Sequence, residues 1–199
     1  MRRYLPGQYQ RVLEVGCGRG GFRNNLSADA EVWGIEIVPE VAEHARTLMN
    51  RVLVGSFEDV AGQLPSHYFD LVICNDVIEH MADDSGFLKK LHQYLTADAT
   101  LVFSVPNMLN WPVLKELIIH KDWRYREDGI LDRTHLRFYT RKSFSRLLRE
   151  TGYEITQIKG INRNVRRLPR LFILLFLPIW YREVIYLQFA FQARQKDFA

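Results

Sequence analysis

Cysteine is scarce in this chain: its 199 residues include only Cys17 and Cys74. Two thiols make neither a disulfide framework nor a metal-ligand pair, so a stapled secreted scaffold is excluded, no metal is expected, and a reducing cytoplasmic compartment is the natural one. Long apolar runs are missing as well. The longest covers 11 residues, 171–181, whereas a spanning helix needs about 20. Residues 1–10 carry Arg2 and Arg3 but no apolar stretch of the kind a secretory signal requires. There is no internal repeat and no low-complexity segment. Basic and aromatic residues are not interleaved as in an RNA-binding module, so no nucleic-acid partner is expected.

What is present is enough apolar material for one core. At 47% hydrophobic content over 199 residues, the chain can bury one substantial core and has little room for a second domain, which argues against a two-domain dehydrogenase. The net charge of +4 is unevenly distributed. Through His120 there are 10 Lys and Arg against 15 Asp and Glu, and beyond it 17 against 8. An anionic partner would settle on the C-terminal part, unless the basic surface is merely solvated. Apolar runs alternate with helical patterns, the signature of a mostly parallel sheet with helices on both faces. Strands are expected near 11–15, 31–37, 51–54, 69–74, 99–105, 153–160 and 184–194. Helices are expected near 20–27, 39–50, 83–95, 110–119 and 141–151. Pro39 suits a first helical turn, Thr140 an N-cap, and Gly152 a left-handed helix end.

The segment Val12-Leu13-Glu14-Val15-Gly16-Cys17-Gly18-Arg19-Gly20-Gly21 describes a buried strand turning sharply into a helix. Its glycines reach positive φ cheaply and let a nucleotide-like ligand lie against bare backbone. Glu36, followed by Ile37, closes the next apolar run about 20 residues on, where a carboxylate accepting from ribose hydroxyls belongs. Gly16-x-Gly18-x-x-Gly21 also satisfies the dinucleotide fingerprint. Glu14 distinguishes the two readings, because a sulfonium and an ammonium group favour nearby carboxylates and a pyrophosphate does not. The spelling Glu-Val-Gly-Cys-Gly-Arg-Gly resembles motif I of the class I methyltransferases that use S-adenosylmethionine. Residues 68–81, with Asn75, Asp76, Glu79 and His80 at the end of an apolar strand, resemble motif IV of the same superfamily. A reductase of this size should carry a Tyr-x-x-x-Lys pair, and this sequence has none.

A third match extends the resemblance from Val12 to about Ile155. Asp132-Arg133-Thr134-His135-Leu136-Arg137-Phe138 resembles the Asp-x-Thr-His-Leu-Arg-Phe block of a methyltransferase subfamily associated with ubiquinone-type and surface-glycan biosynthesis. The fold so implied is Rossmann-like, α/β, with seven mostly parallel strands and an antiparallel last strand. The domain would span 1–199, with a cofactor-binding core at 10–106, an acceptor-side lid at 107–140 and an apolar, basic helical insert at 163–183. The resemblance implies S-adenosylmethionine as cofactor, held by Glu14, Gly16, Cys17, Gly18, Gly20, Glu36, Ile37, Ser56, Phe57, Glu58, Asn75 and Asp76. Ser56 stands where the family usually has an aspartate; Phe57 is positioned to flank the adenine, or Ser56 simply caps a helix.

The acceptor side is open to several readings. Asp132 and His135 can form a carboxylate–imidazole pair in which His135 takes a proton from the acceptor. Arg133 and Arg137 can bind an anionic acceptor. Alternatively Asp132, Thr134 and His135 lock the loop over the cofactor. His80, Asn107 and Tyr125 complete the expected acceptor-binding set. The reaction so predicted is O-methylation of a small-molecule, glycan, lipid-linked or quinone-like acceptor. The alternatives are a nicotinamide-dependent oxidoreductase and a non-catalytic cofactor-binding subunit. Residues 171–181, flanked by Arg163, Arg166, Arg167, Arg170 and Arg182, suit a peripheral contact with an anionic bilayer, a helix packed on the sheet, or a homodimer contact through 168–182.

Overall fold

The computed structural model describes residues 1–163 and 181–196. Seven strands form one sheet: β1 (Arg11–Val15), β2 (Glu31–Glu36), β3 (Arg51–Val54), β4 (Phe69–Asn75), β5 (Leu95–Pro106), β6 (Tyr153–Arg163) and β7 (Tyr186–Gln195). Their spatial order is β3-β2-β1-β4-β5-β7-β6. The first five strands are mutually parallel, and β7 runs antiparallel to both neighbours. The antiparallel last strand is therefore as expected, but it lies inside the sheet, and β6 takes the edge. The order reverses between β1 and β4, which makes their carboxyl ends a topological switch point where ligands bind in such folds.

Burial explains the pairing. Val12, Leu13, Leu71, Val72, Ile73, Leu101, Val102 and Phe103 are all fully buried, as near-continuous apolar runs covered on both faces should be. The helices are α1 (Pro39–Ala45), α2 (Phe57–Val60), α3 (Asp84–Leu91), α4 (Trp111–Ile118), α5 (Arg141–Glu150) and the short α6 (Tyr181–Val184). Pro39 opens α1 as its missing N–H allows. Thr140 and Ser143 form a reciprocal cap at the start of α5, and Gly152 follows it at φ +90°.

The helix expected at 20–27 is reduced to a 3₁₀ turn, Gly21–Asn25. Gly16, Gly18 and Gly20 all sit at positive φ, so the backbone curls before helical bonds can start, and Asn24-Asn25 adds little helix propensity. The expectations for the insert at 163–183 and for a contact through 168–182 fall largely outside the described residues. Among the described residues, no helix is long and apolar enough to cross a membrane.

Candidate active site

Two cavities open beyond the carboxyl ends of the strands. The first, about 520 Å³, is lined by Val15, Gly16, Ile35–Ile37, Gly55–Glu58, Val77, His80–Asp83 and Leu136. The ends of β1, β2 and β3 thus converge on it, and the turn after β4 forms its far wall. Gly16 is the tightest point. It has φ +68°, and a Cβ there would lie 2.3 Å from Cγ2 of Val77, so the strand-to-helix turn tolerates no side chain. Glu36 braces the same turn: its Oε2 accepts from Gly18 N at 2.9 Å and its Oε1 from Val38 N at 3.0 Å. Two oxygens each holding one amide keep lone pairs in reserve, suited to a vicinal diol.

Of the twelve residues expected to hold the cofactor, Gly16, Glu36, Ile37, Ser56, Phe57 and Glu58 line this cavity. Cys17 is turned into the core against Gly34, and burial pushes its thiol up to about 12. Gly20 packs on Ala45 and, like Gly18, shapes the turn rather than the cavity wall. Phe57 is buried, its ring perpendicular to Phe87 at 4.7 Å and to Tyr94. Ser56 caps α2 in a reciprocal pair with Asp59, which is the structural alternative for that residue. Glu14 is buried beneath the turn with Oε2 unpartnered, and burial raises its carboxyl to about 8. Asn75 likewise has an orphaned buried oxygen.

The second cavity, about 360 Å³, is lined by Asp76, Glu79, Pro106, Gly129, Ile130, Asp132, His135, Leu187 and Gln188. Asp76, expected on the cofactor side, belongs here. It adopts φ +52°, uncommon for a residue with a Cβ, and is held by Ser104 Oγ at 3.0 Å and Gln188 Nε2 at 2.6 Å. Burial raises its pKa against these two hydrogen bonds. His80 and His135 stand edge to face at 4.7 Å between the cavities.

The loop carrying the Asp-x-Thr-His-Leu-Arg-Phe block is bolted to the turn after β4. The amides of Leu136 and Arg137 both donate to Glu79 O, at 2.8 and 2.9 Å. Asp132 Oδ1 accepts from Thr134 N and Oγ1, both at 2.7 Å, which lowers its pKa. Thr134 in turn faces His80 Nδ1 with its carbonyl and hydroxyl, both at 3.2 Å. The expected Asp132–His135 pair is therefore not formed. His135 Nδ1 lies 3.0 Å from Ile130 O, and a carbonyl only accepts, so Nδ1 carries the hydrogen and Nε2 keeps the lone pair. Glu79 is fully buried and neither carboxylate oxygen has a hydrogen-bond partner. Burial pushes it up to about 8, against its own backbone amide and with help from the Asp76 charge.

Four further expected residues line neither cavity. Asn107 is not displayed in the crevice. It is fully buried, donating to Glu183 O and Tyr186 O and accepting from Leu109 N, because β7 crosses over it. Tyr125 packs edge-on to Trp123 and tilted against Phe138 and lines neither of these cavities. Arg133 pairs with Glu127 at 2.8 Å on the outer surface, and Arg137 donates to Ala82 O. Glu79, Gln188 and Leu187 were not among the expected site residues. The Glu79-His80 pair in the turn was a usable signal; Gln188, on the distant β7, had none.

Both cavities open at the carboxyl ends of the strands, beside the switch point between β1 and β4. A model of the methyltransferase domain matches residues 2–158, more than half of the sequence. The chain belongs to the methyltransferase-domain family. It is an S-adenosylmethionine-dependent methyltransferase with the class I fold. It is 27% identical over 167 residues to the ubiquinone biosynthesis O-methyltransferase of Neisseria meningitidis serogroup A, covering 78% of this chain and 68% of that one. A ubiquinone biosynthesis O-methyltransferase of Xanthomonas campestris pv. campestris is 36% identical over 111 residues, covering 52% of this chain but only 45% of its own length. Among solved structures, a SAM-dependent methyltransferase from Archaeoglobus fulgidus superposes with TM-score 0.73 at 18% identity, covering 97% of this chain and 89% of that one. The 1,6-didemethyltoxoflavin-N1-methyltransferase of Burkholderia thailandensis, with S-adenosylhomocysteine bound, gives 0.61 at 18% identity, covering 96% and 73%.

Proposed function

We propose that this methyltransferase methylates an oxygen of a small, glycan, lipid-linked or quinone-like acceptor held in the cavity of Asp76, Glu79 and His135, with the donor in the neighbouring glycine-lined cavity. The observation that carries the reading is the shared wall: His80 lines the first cavity, His135 the second, and their rings are 4.7 Å apart. A methyl group leaving one cavity has a short path into the other. Methyl transfer is an in-line displacement at a carbon with a good leaving group, so orientation alone can supply an effective molarity of about 10⁵ to 10⁸ M. An oxygen nucleophile also has to lose its proton, which favours a site with a lone pair at hand. His135 Nε2 supplies one. Asp132 acts through Thr134 and His80 as a positioning residue. The oxygen acceptor is supported by the names of the Neisseria and Xanthomonas relatives, both O-methyltransferases.

The arginine-flanked apolar run at 171–181 is read here as a peripheral contact with an anionic membrane or with a second copy. The exposed Leu117, Ile118 and Ile119 at the end of α4 add apolar surface of the same kind. Co-sedimentation with anionic vesicles, with and without residues 168–182, together with the mass in solution, separates the two.

The test of the activity is methyl transfer from labelled S-adenosylmethionine to a panel of phenols, hydroxyquinones, glycans and amines. Label on an oxygen acceptor, lost in His135→Ala while S-adenosylhomocysteine binding persists, supports the reading. Label only on nitrogen acceptors, or turnover unchanged in His135→Ala, contradicts it.

A further inference from the structure

Beside the cavity proposed for the acceptor lies a smaller one, about 170 Å³, between α4 and the loop that carries Arg126 and Leu131. The two share Gly129, Ile130 and Leu187. Pockets that take a whole drug-sized ligand begin at about 300 Å³, so the smaller space suits one ring of a molecule whose remainder occupies the larger. We infer that it is a subsite for an uncharged glycosyl group, which makes the acceptor a glycan or glycoside rather than a quinone with an apolar tail. Glycosyl binding here stands by itself; that the glycosyl group belongs to the acceptor rests on the preceding reading.

Asn110 lines the smaller cavity and is only 1% exposed. Its Nδ2 donates to Val184 O at 3.2 Å and to Tyr186 O at 3.0 Å. Carbonyls only accept, so these two bonds fix which end of the amide is nitrogen. The other end, Oδ1, has no hydrogen-bond partner among the described residues. A hydroxyl entering the cavity can donate to Oδ1 and offset the cost of a buried oxygen left unpaired.

The charged residues point to the same chemistry. Glu116 Oε2 and the Arg126 guanidinium approach to 3.8 Å, too long for a hydrogen bond, so both keep bonding capacity. Asp128 adds a second carboxylate to the lining. Accepting oxygens on Asn110, Glu116 and Asp128, with the guanidinium as donor, match hydroxyl groups, each of which both donates and accepts. A phosphate would meet two carboxylates for one guanidinium. A prenyl chain would take these polar groups out of water and bond none of them. Val113, Leu131 and Leu187 supply an apolar wall on which the C–H face of a sugar ring can pack.

The turn between the two cavities connects this space to the reacting centre. Gly129 adopts φ +84° and its carbonyl accepts from Asp132 N at 3.2 Å. Ile130 O is the acceptor that orients the His135 ring. A sugar seated against Ile130 therefore packs on the same turn that sets the His135 tautomer.

The test is titration of the full chain with the methyl glycosides of glucose, galactose, mannose and rhamnose, followed by NMR. The signals to watch are the Asn110 side-chain amide and the methyl groups of Val113, Leu131 and Leu187, with prenol and inorganic phosphate as comparison ligands. At least one glycoside is expected to shift these signals saturably, with affinity weaker by about fivefold or more in the double variant Glu116→Ala/Asp128→Ala. Asp128 is exposed, so Asp128→Ala alone gives the same comparison if the double variant does not fold. No response to any glycoside, unchanged affinity in the variant, or a stronger response to prenol or phosphate overturns the inference. Methyl transfer from labelled S-adenosylmethionine is read separately. Glycoside binding without label on oxygen supports the subsite and contradicts only the oxygen-acceptor reading, whereas label on an oxygen acceptor without glycoside binding overturns the subsite and leaves that reading intact.

Discussion

The proposed donor side and the proposed acceptor side of this site are built by different means. Around Gly16 to Glu36 the cavity is shaped by backbone: parallel strands end, glycines at positive φ curl away, and Glu36 ties the turn to the next loop. Around Asp76 to His135 it is shaped by side chains bonded across long stretches of sequence, from Ser104 and Gln188 onto Asp76, and from Thr134 onto His80. A backbone-built site can accept one donor in many enzymes. A side-chain-built site can change acceptor through a few substitutions, because the strands beneath need not move.

The largest effect should come from the wall between the sides. His135→Ala is expected to lower turnover by about 10²- to 10⁴-fold, the range for losing proton management at an oxygen nucleophile, with S-adenosylhomocysteine affinity changed little. Steady-state kinetics and calorimetry on the same variant check both halves. If donor affinity falls as far as turnover, the two sides are not separate.

Next comes the backbone at the donor turn. Gly16→Ala places a Cβ into Val77 at a left-handed φ, a strain of about 1–3 kcal/mol. It should be visible as a lower urea midpoint together with loss of donor binding. A comparable loss of stability, about 1–3 kcal/mol for buried polar groups left unpaired, is expected for Asn107→Ala, because Asn107 joins the end of β5 to the start of β7. Here donor affinity should stay within about threefold. Thr140→Ala, which removes the cap of α5, should cost about 1 kcal/mol and leave both sites unaltered.

The donor side also has a pH signature. The Glu14 carboxyl is raised from 4.5 to about 8 by burial, so the folded protein holds a proton there that the unfolded chain releases. That contribution is complete below about pH 4.5 and is lost as pH rises toward 8. The stability of the ligand-free protein should therefore decline over that window, and Glu14→Gln should remove part of the decline, the rest coming from Glu79, which burial raises to about 8 in the same way. Denaturation midpoints measured across pH 5 to 8 decide the sign.

How far these features could be read in advance follows from the same contrast. Strands β1 and β3 match their expected limits because apolar runs bounded by glycines or charges leave little choice. Gly16 and Glu36 were legible because backbone curvature and a ribose-ready carboxylate leave local marks in sequence. The helix after Gly20 failed to extend because alternate glycines at positive φ, Gly16, Gly18 and Gly20, curl the backbone before it. On the acceptor side, Asp132 and His135 looked like a pair from their spacing, yet Thr134 and Ile130 outcompete each for its hydrogen bond. Asn107 looked exposed because a proline precedes it; only the return of β7, some 80 residues later, buries it. Gln188 reaches Asp76 across 112 positions, and no local pattern encodes such a contact.

The separation of the two sides is tested most directly by calorimetric titration of S-adenosylhomocysteine into Gly16→Ala and Glu79→Gln. Loss of binding in Gly16→Ala with near-native affinity in Glu79→Gln is the predicted result. Equal losses in both, or native affinity in Gly16→Ala, would contradict it.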